Sequence, residues 1–276
     1  SRLSPASIST STTKPSNTDM HTHFHPKFSL ITVTYNAGAV LEDTIQSIIT
    51  QTYKNVEYIL IDGASTDNTM RIIERYRDHI HTVVSEPDQG LYDAMNKGLS
   101  LATGDYVCFL NAGDCLHEDD TLLGMVHSVA ASHEAPCPPD VLYGDTALVD
   151  SEGHFLRMRR LTPPEHLTWK SFRHGMLVCH QAFFARRAIA PHYDLRYRFS
   201  ADFDWCIRVM KQARYLHNTH LTLVDYLDEG LTTRNHRASL IERFHIMCRH
   251  YGTVPTVMRH LWFALRTLTH PKRVQA

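Results

Sequence analysis

The sequence predicts an α/β fold, a mostly parallel sheet flanked by helices, and three observations lead there. Short β-rich runs such as FSLITVTYN alternate with segments whose apolar residues recur at helical spacing. Asn, Asp and Gly gather just after those runs, at the edge where such sheets bind ligands. The chain's 276 residues suffice for one large domain, alone or with an appendage.

Each element follows in order. Residues 1–27 are rich in Ser, Thr, Pro and His without apolar periodicity, and read as a disordered tail or expression remnant. His21, His23 and His25 alternate there, but a solvated tail offers no scaffold to fix metal ligands. FSLITVTYN is the first strand, and AGAVLEDTIQSIITQTY a helix with Val40, Leu41, Ile45, Ile48 and Ile49 on one stripe. VEYILIDG is the second strand. Ser65 or Thr66 is a candidate cap for TDNTMRIIERYRD, HTVVSEP is a third strand, GLYDAMNKGLSLATG a third helix and DYVCFLNAGD a fourth strand. Farther on, VLYGDTALVD and HFLRMRR flank Ser151-Glu152-Gly153 as a hairpin. Two helices close the chain, SLIERFHIMCRHYG and VPTVMRHLWFALRTLTHPKR.

Right-handed βαβ units place their ligands beyond the strands' carboxyl ends. Thr34, Tyr35 and Asn36 follow the first strand, Asp62 the second, Glu86 to Asp88 the third, and Asn111 to Asp114 the fourth. A dinucleotide reader needs G-x-G-x-x-G after the first strand, yet TYNAGAV offers only Gly38, and no G-x-x-x-x-G-K-[ST] loop occurs. The edge offers instead an aromatic ring, Tyr35, able to stack on a base, and an isolated acid, Asp114. A lone carboxylate holds Mg²⁺ or Mn²⁺ adequately when substrate phosphates complete the coordination.

The runs SLITVTYNAGAVLEDTIQSIITQTYKNVEYILIDGASTDNT and SEPDQGLYDAMNKGLSLATGDYVCFLNAGD resemble the family 2 glycosyltransferases of the GT-A fold, a Rossmann-like architecture, especially those that build bacterial capsule, exopolysaccharide and O-antigen. The resemblance covers residues 28 to about 126 closely and thins out to about 232. It implies inverting transfer of a sugar, hexosyl or N-acetylhexosaminyl, from a nucleotide diphosphate donor. By the same resemblance Thr34, Tyr35 and Asn36 match the donor-base segment, Tyr35 being the stacking ring. Asp62 matches the first acid of the family's Asp-Asp-Gly-Ser turn; the second, which reads the uracil edge, is Gly63 here. Asn96 matches the Asn of an Arg-Asn pair whose Arg is replaced by Met95, with Asp93 and Lys97 as charged neighbours. NAGD keeps one acid of the family's acidic run, Asp114, the metal position; Asn111 stands where a ribose contact belongs, and Gly113 replaces the middle acid. Losing two carboxylates predicts metal binding that depends on donor.

In the second half, CHQAFFARRAIAPHYDLRYRFSADFDWCIRVM resembles the acceptor segment of the same family, which makes Asp202 the general base. If a helix starts at Asp202, Asp204 projects about 200° away, so only one of the two faces the pocket. Capping of that helix is the plain alternative for Asp202. His180 and Gln181 are candidates for acceptor or diphosphate contact, as is Arg234 in the basic run Arg234 to Arg237. The expected organisation is a tail at 1–27, a catalytic domain at 28–232 divided into a donor half (28–126) and an acceptor half (127–232), and C-terminal helices at 233–276.

The last helix mixes Leu261, Trp262, Phe263, Leu265 and Leu268 with Arg259, Arg266, Lys272 and Arg273. That composition suits an anionic membrane surface, or packing on the catalytic domain or on a second subunit, as in a homodimer. Lys plus Arg number 28 against 29 Asp plus Glu, which gives no reason to expect nucleic acid as a partner. Cys108, Cys115, Cys137, Cys179, Cys206 and Cys248 show no paired spacing, no apolar run approaches the roughly 20 residues of a membrane span, and the start lacks a signal pattern. A cytoplasmic enzyme, at the inner face of the membrane if its glycan acceptor is lipid-linked, is the expectation. Two rival classes remain: a catalytically silent nucleotide-sugar-binding module, and a metal-dependent nucleotidyltransferase, which lacks its Gly-rich basic loop here.

Overall fold

The computed structural model describes residues 24–132, 138–228 and 236–269, the last stretch without the side chains of 236 and 263–269. Its strands are β1 (Phe28–Thr34), β2 (Val56–Asp62), β3 (Thr82–Ser85), β4 (Tyr106–Phe109), β5 (Cys115–Leu116), β6 (Val141–Val149), β7 (Phe155–Met158), β8 (Phe183–Arg186) and β9 (Leu216–Leu227). The helices are α1 (Leu41–Ile49), α2 (Thr69–Arg75), α3 (Leu91–Leu101), α4 (Thr121–Ala131), α5 (Ala201–Gln212), α6 (His236–Tyr251) and α7 (Thr253–Thr269).

The strands form one sheet in the order β3-β2-β1-β4-β8-β6-β9-β5, with β7 paired to β6. β3, β2, β1 and β4 run parallel, and β8 turns antiparallel against β4. Every residue of β1 is buried, as a charge-free strand covered on both faces requires. Its side chains alternate between two cores. Ile31 and Val33 join Met95, Phe109 and Trp205 beneath α3 and α5, while Phe28 and Leu30 join Leu41, Ile45, Ile48, Leu122 and Met125 beneath α1 and α4. The order β3-β2-β1-β4 reverses chain direction of travel between β1 and β4, opening a crevice at their carboxyl ends.

The β6–β7 hairpin forms where expected, with Gly153 at φ 80° in its turn and the Gly153 amide donating to the Asp150 carbonyl at 3.0 Å. The structure departs from the sequence reading in two places. Residues 24–27 are tied to the domain, since Phe24 packs edge-on against Tyr106 and the Lys27 amide donates to Asp105 at 2.8 Å. Residues 1–23, with His21 and His23, lie outside the described residues. Neither Ser65 nor Thr66 caps α2, because Asn36 and Asp62 take up their polar groups; Asp67 accepts the Thr69 amide at 2.9 Å instead. Finally, the first of the C-terminal helices, α6, is part of the domain's packing, with Ile246, Met247 and Tyr251 in the same core as Trp205. Arg234 and Cys137 also lie outside the described residues, and the other five cysteines are free thiols.

Candidate active site

The crevice between β1 and β4 receives residues 34–36 from one side and 111–114 from the other. Tyr35 stands 65% exposed at its mouth, a flat ring presented to solvent. Behind it the buried Thr34 hydroxyl has no partner among the described residues. Asn36 adopts φ 49°, a left-handed conformation that Asn tolerates, and its side-chain oxygen accepts the Thr66 amide at 2.8 Å. Asp62 is fully buried: its carboxylate accepts the Ser65 amide (3.0 Å), the Ser65 hydroxyl (2.5 Å) and the Ser85 hydroxyl (2.6 Å). Asn36 and Asp62 organise the 64–67 loop through the local bonding for which Asn and Asp are suited.

Local bonding also holds the candidates on α3. Asp93 accepts the Gln89 amide at 3.0 Å and so closes the helix's first turn. Asn96 clamps Tyr193 at two points, donating to its carbonyl at 3.0 Å and accepting its amide at 2.7 Å. Met95, at the position of the missing Arg, is wholly buried.

The NAGD turn after β4 owes its composition to packing. Gly113 has φ 101°, and a Cβ there would lie 2.9 Å from the Leu227 side chain, so an acid at this position is both strained and crowded. The Asn111 side-chain oxygen is buried without a partner among the described residues. Asp114 is only 4% exposed. Its oxygens accept Gln181 Nε2 at 2.8 Å and the Leu227 amide at 3.2 Å. Burial pushes its carboxyl up to about 6, against the opposing pull of those two bonds and of His180. Both donors are neutral and fill about two of a carboxylate's four or so acceptor directions. The donor set therefore fits a cation, which would supply the positive charge the buried acid lacks, provided Gln181 or the end of β9 gives way.

On the other side of the crevice, Asp202 lies in the first turn of α5. Tyr92 donates to it at 3.0 Å, and His180 Nδ1 lies 3.4 Å from its other oxygen. Burial acts to raise its pKa, but the imidazole of His180, the Arg243 guanidinium and the Tyr92 hydroxyl outweigh this and hold it at about 2. His180 Nε2 is buried and has no partner among the described residues. Asp204 has a separate set of partners, His250 at 2.7 Å and Arg208 at 2.6 Å. Only the first acid of ADFDW thus belongs to the crevice.

The decisive link is a pair of consecutive residues. Gln181 holds Asp114 and its neighbour His180 holds Asp202, so the short 3₁₀ turn His180–Ala182 joins an acid after β4 to an acid on α5. Sequence reasoning missed Tyr92, Tyr193 and Arg243. Tyr92 and Tyr193 stack at 5.3 Å between centroids beside Asp202, and Tyr92 reads as an ordinary core residue of an amphipathic helix. Arg243 comes from α6, and no local pattern marks it.

The family model described as Glycosyl transferase family 2 matches residues 29–192. The chain belongs to that family. This glycosyltransferase is 38% identical over 203 residues to a PGL/p-HBAD biosynthesis glycosyltransferase of Mycobacterium bovis, an alignment covering 70% of this chain and 74% of that one. Its fold resembles S. aureus TarS in complex with UDP-GlcNAc, with a TM-score of 0.63 at 17% identity over 90% of this chain and 76% of that one. It also resembles the mannosyltransferase PcManGT of Pyrobaculum calidifontis in complex with GDP-Man and Mn2+, with a TM-score of 0.58 at 17% identity over 91% and 71%. The family 2 chain has no cluster of three His, Cys, Asp or Glu side chains able to hold a metal among the described residues. No helix among them is long and apolar enough to cross a membrane.

Proposed function

We propose that this glycosyltransferase moves a hexosyl or N-acetylhexosaminyl group, with inversion, from a nucleotide diphosphate donor to a hydroxyl of a surface-glycan precursor, using Asp202 as general base. The observation that carries this reading is the His180–Gln181 link, which sets one acid for the donor's diphosphate and one for the acceptor within a single site. In an inverting displacement, the acceptor hydroxyl attacks the anomeric carbon opposite the leaving diphosphate, and its proton must go to a base on the acceptor side. Asp202 is ionised at neutral pH and stays so because His180, Arg243 and Tyr92 surround it. A carboxylate this weakly basic suffices because the hydroxyl becomes acidic as its bond to carbon forms.

Tyr35 supplies the stacking face for the base, and the unpartnered Asn111 oxygen is placed to accept from a ribose hydroxyl. Asp114 would hold a Mn²⁺ or Mg²⁺ shared with the donor's phosphates, and such an ion stabilises negative charge on a departing diphosphate. A lipid-linked acceptor agrees with the C-terminal end of the chain. Val254, Val257, Met258, Leu261 and Trp262 form an exposed stripe at helical spacing on α7, and residues 243–276 contain no Asp or Glu. We place the enzyme at the inner face of the cytoplasmic membrane on this ground.

The burial of Asp114 favours a second reading, a nucleotide-sugar-binding module without turnover. Incubating purified protein with UDP-, GDP- and dTDP-sugars and Mn²⁺, and measuring released nucleoside diphosphate, separates the two. Transferase chemistry requires turnover that falls about 10²- to 10⁴-fold in Asp202→Asn while donor affinity holds. Donor binding with no turnover in the wild type establishes the silent module.

A further inference from the structure

The crevice contains an acid to which nothing above gives a role. Gly63 lies directly after β2, its amide donating to the Thr34 carbonyl at 2.9 Å. A Cβ built on Gly63 would lie 2.5 Å from Asp88 Oδ2 and 3.3 Å from Cδ2 of Tyr35. The Asp88 carboxylate therefore occupies the volume a side chain at 63 would fill, directly beside the exposed ring of Tyr35. Its other oxygen, Oδ1, accepts the Gly90 amide at 2.8 Å, which fixes the orientation of the group. The nearby cation does not neutralise it by contact, because Lys97 Nζ is engaged by Glu86 at 2.9 Å and by the Pro87 carbonyl at 2.9 Å. The nearest competing acid, Asp62, has its carboxylate turned inward and satisfied by Ser65 and Ser85.

We infer that Asp88 reads the Watson–Crick edge of the donor's base, in the place that Gly63 leaves empty, and that it selects a base presenting a single ring N–H, uracil or thymine. This rests on the proposed use of a nucleotide donor. A base stacked on Tyr35 turns its edge toward neighbouring groups, and Asp88 Oδ2 stands beside that ring, held there as a pure acceptor. Uracil and thymine offer N3–H to such an oxygen. Cytosine and adenine present a bare ring nitrogen, whose lone pair faces the carboxylate and repels it. Guanine presents two adjacent donors suited to both oxygens of a carboxylate, but here one oxygen is already committed to Gly90.

The test is calorimetric titration of UDP, dTDP, CDP and GDP, each with Mg²⁺, into the wild type and into Asp88→Asn and Asp88→Ala. Asp88→Asn keeps an acceptor for the Gly90 amide, and circular dichroism and melting confirm its fold. In the wild type UDP and dTDP are expected to bind about tenfold or more tighter than CDP, with GDP weaker than UDP. Asp88→Asn, whose amide can donate to the ring nitrogen of cytosine, is expected to collapse that preference to within about threefold, and Asp88→Ala to weaken UDP without improving CDP. An unchanged ratio of UDP to CDP affinity in both variants overturns the role of Asp88 while leaving the nucleotide site standing. GDP binding tightest overturns the single-donor choice. A wild type that binds none of the four overturns the transferase reading along with it.

Discussion

At the scale of single residues, the charge on Asp202 depends on three neighbours drawn from three distant segments. Burial alone would push the carboxyl toward its neutral form, and His180, Arg243 and Tyr92 reverse that. Removing the largest favourable partner, as in His180→Gln, should therefore raise the Asp202 pKa and shift the acid limb of the pH–rate profile to higher pH. A lowered rate with an unmoved acid limb would mean that His180 only packs. Asp114 leads to a second expectation. Because the acid is nearly sealed and belongs to no cluster of three ligating side chains among the described residues, Mn²⁺ should bind very weakly alone and measurably once UDP is present, as calorimetry of each order of addition can show. Asp114→Asn should abolish the difference. Asp114 and Asp202 lie at the crevice, one after β4 and one on α5, while Asn36, Asp62, Asp93 and Asn96 bond to nearby backbone, since the residue types that bind ligands at strand ends are also those that close turns and clamp backbone. The role of Asp88 could not be read at all, because its approach to Gly63 joins two loops 25 positions apart in sequence.

At the scale of elements, two glutamates, one buried and one half-buried, tie secondary structures together. Glu57 on β2 accepts from Ser29 on β1 (2.6 Å), from the Thr103 amide and hydroxyl after α3 (2.7 and 2.6 Å), and from Lys27 (3.1 Å). Burial opposes its charge, yet these bonds hold its carboxyl at about 2 against an ordinary 4.5. A carboxyl lowered on folding stabilises the native state above its unfolded pKa and loses that contribution as pH falls toward the folded value. Unfolding midpoints in urea should accordingly fall between pH 5 and pH 3 more steeply for the wild type than for Glu57→Gln, which should be less stable at pH 7 by about 1–3 kcal/mol. Glu242 on α6 accepts the amides of Arg198 (2.8 Å), Phe199 (2.8 Å) and Ser200 (3.0 Å), the segment that leads into α5 and Asp202. Glu242→Ala leaves three amides to find new partners and should cost about 1–3 kcal/mol, while also lowering turnover through misplacement of Asp202. Stability lost with turnover per folded molecule intact would limit Glu242 to a structural role.

Across the whole molecule, the parallel half of the sheet carries Tyr35 on one side of the crevice, and α5 and α6 pack on the other. The stripe on α7 is exposed. Vesicles containing anionic phospholipid should sediment with the wild type at low salt and lose it when Met258 and Trp262 are changed to Ser, whereas neutral vesicles should not. If the same double change instead shifts the sedimentation coefficient from dimer to monomer without any vesicle binding, the stripe is a subunit interface.

The sequence by itself determined the alternation of strands and helices, the hairpin at Ser151 to Gly153, the charge-free buried β1 and the membership of the family, because each of these rests on local periodicity or on residues a few positions apart. Tertiary structure alone decided that α6 belongs to the core, that Asp114 is covered and that Arg243 reaches toward Asp202. Burial and electrostatic environment are sums over everything packed around a group, and those neighbours come from the length of the chain.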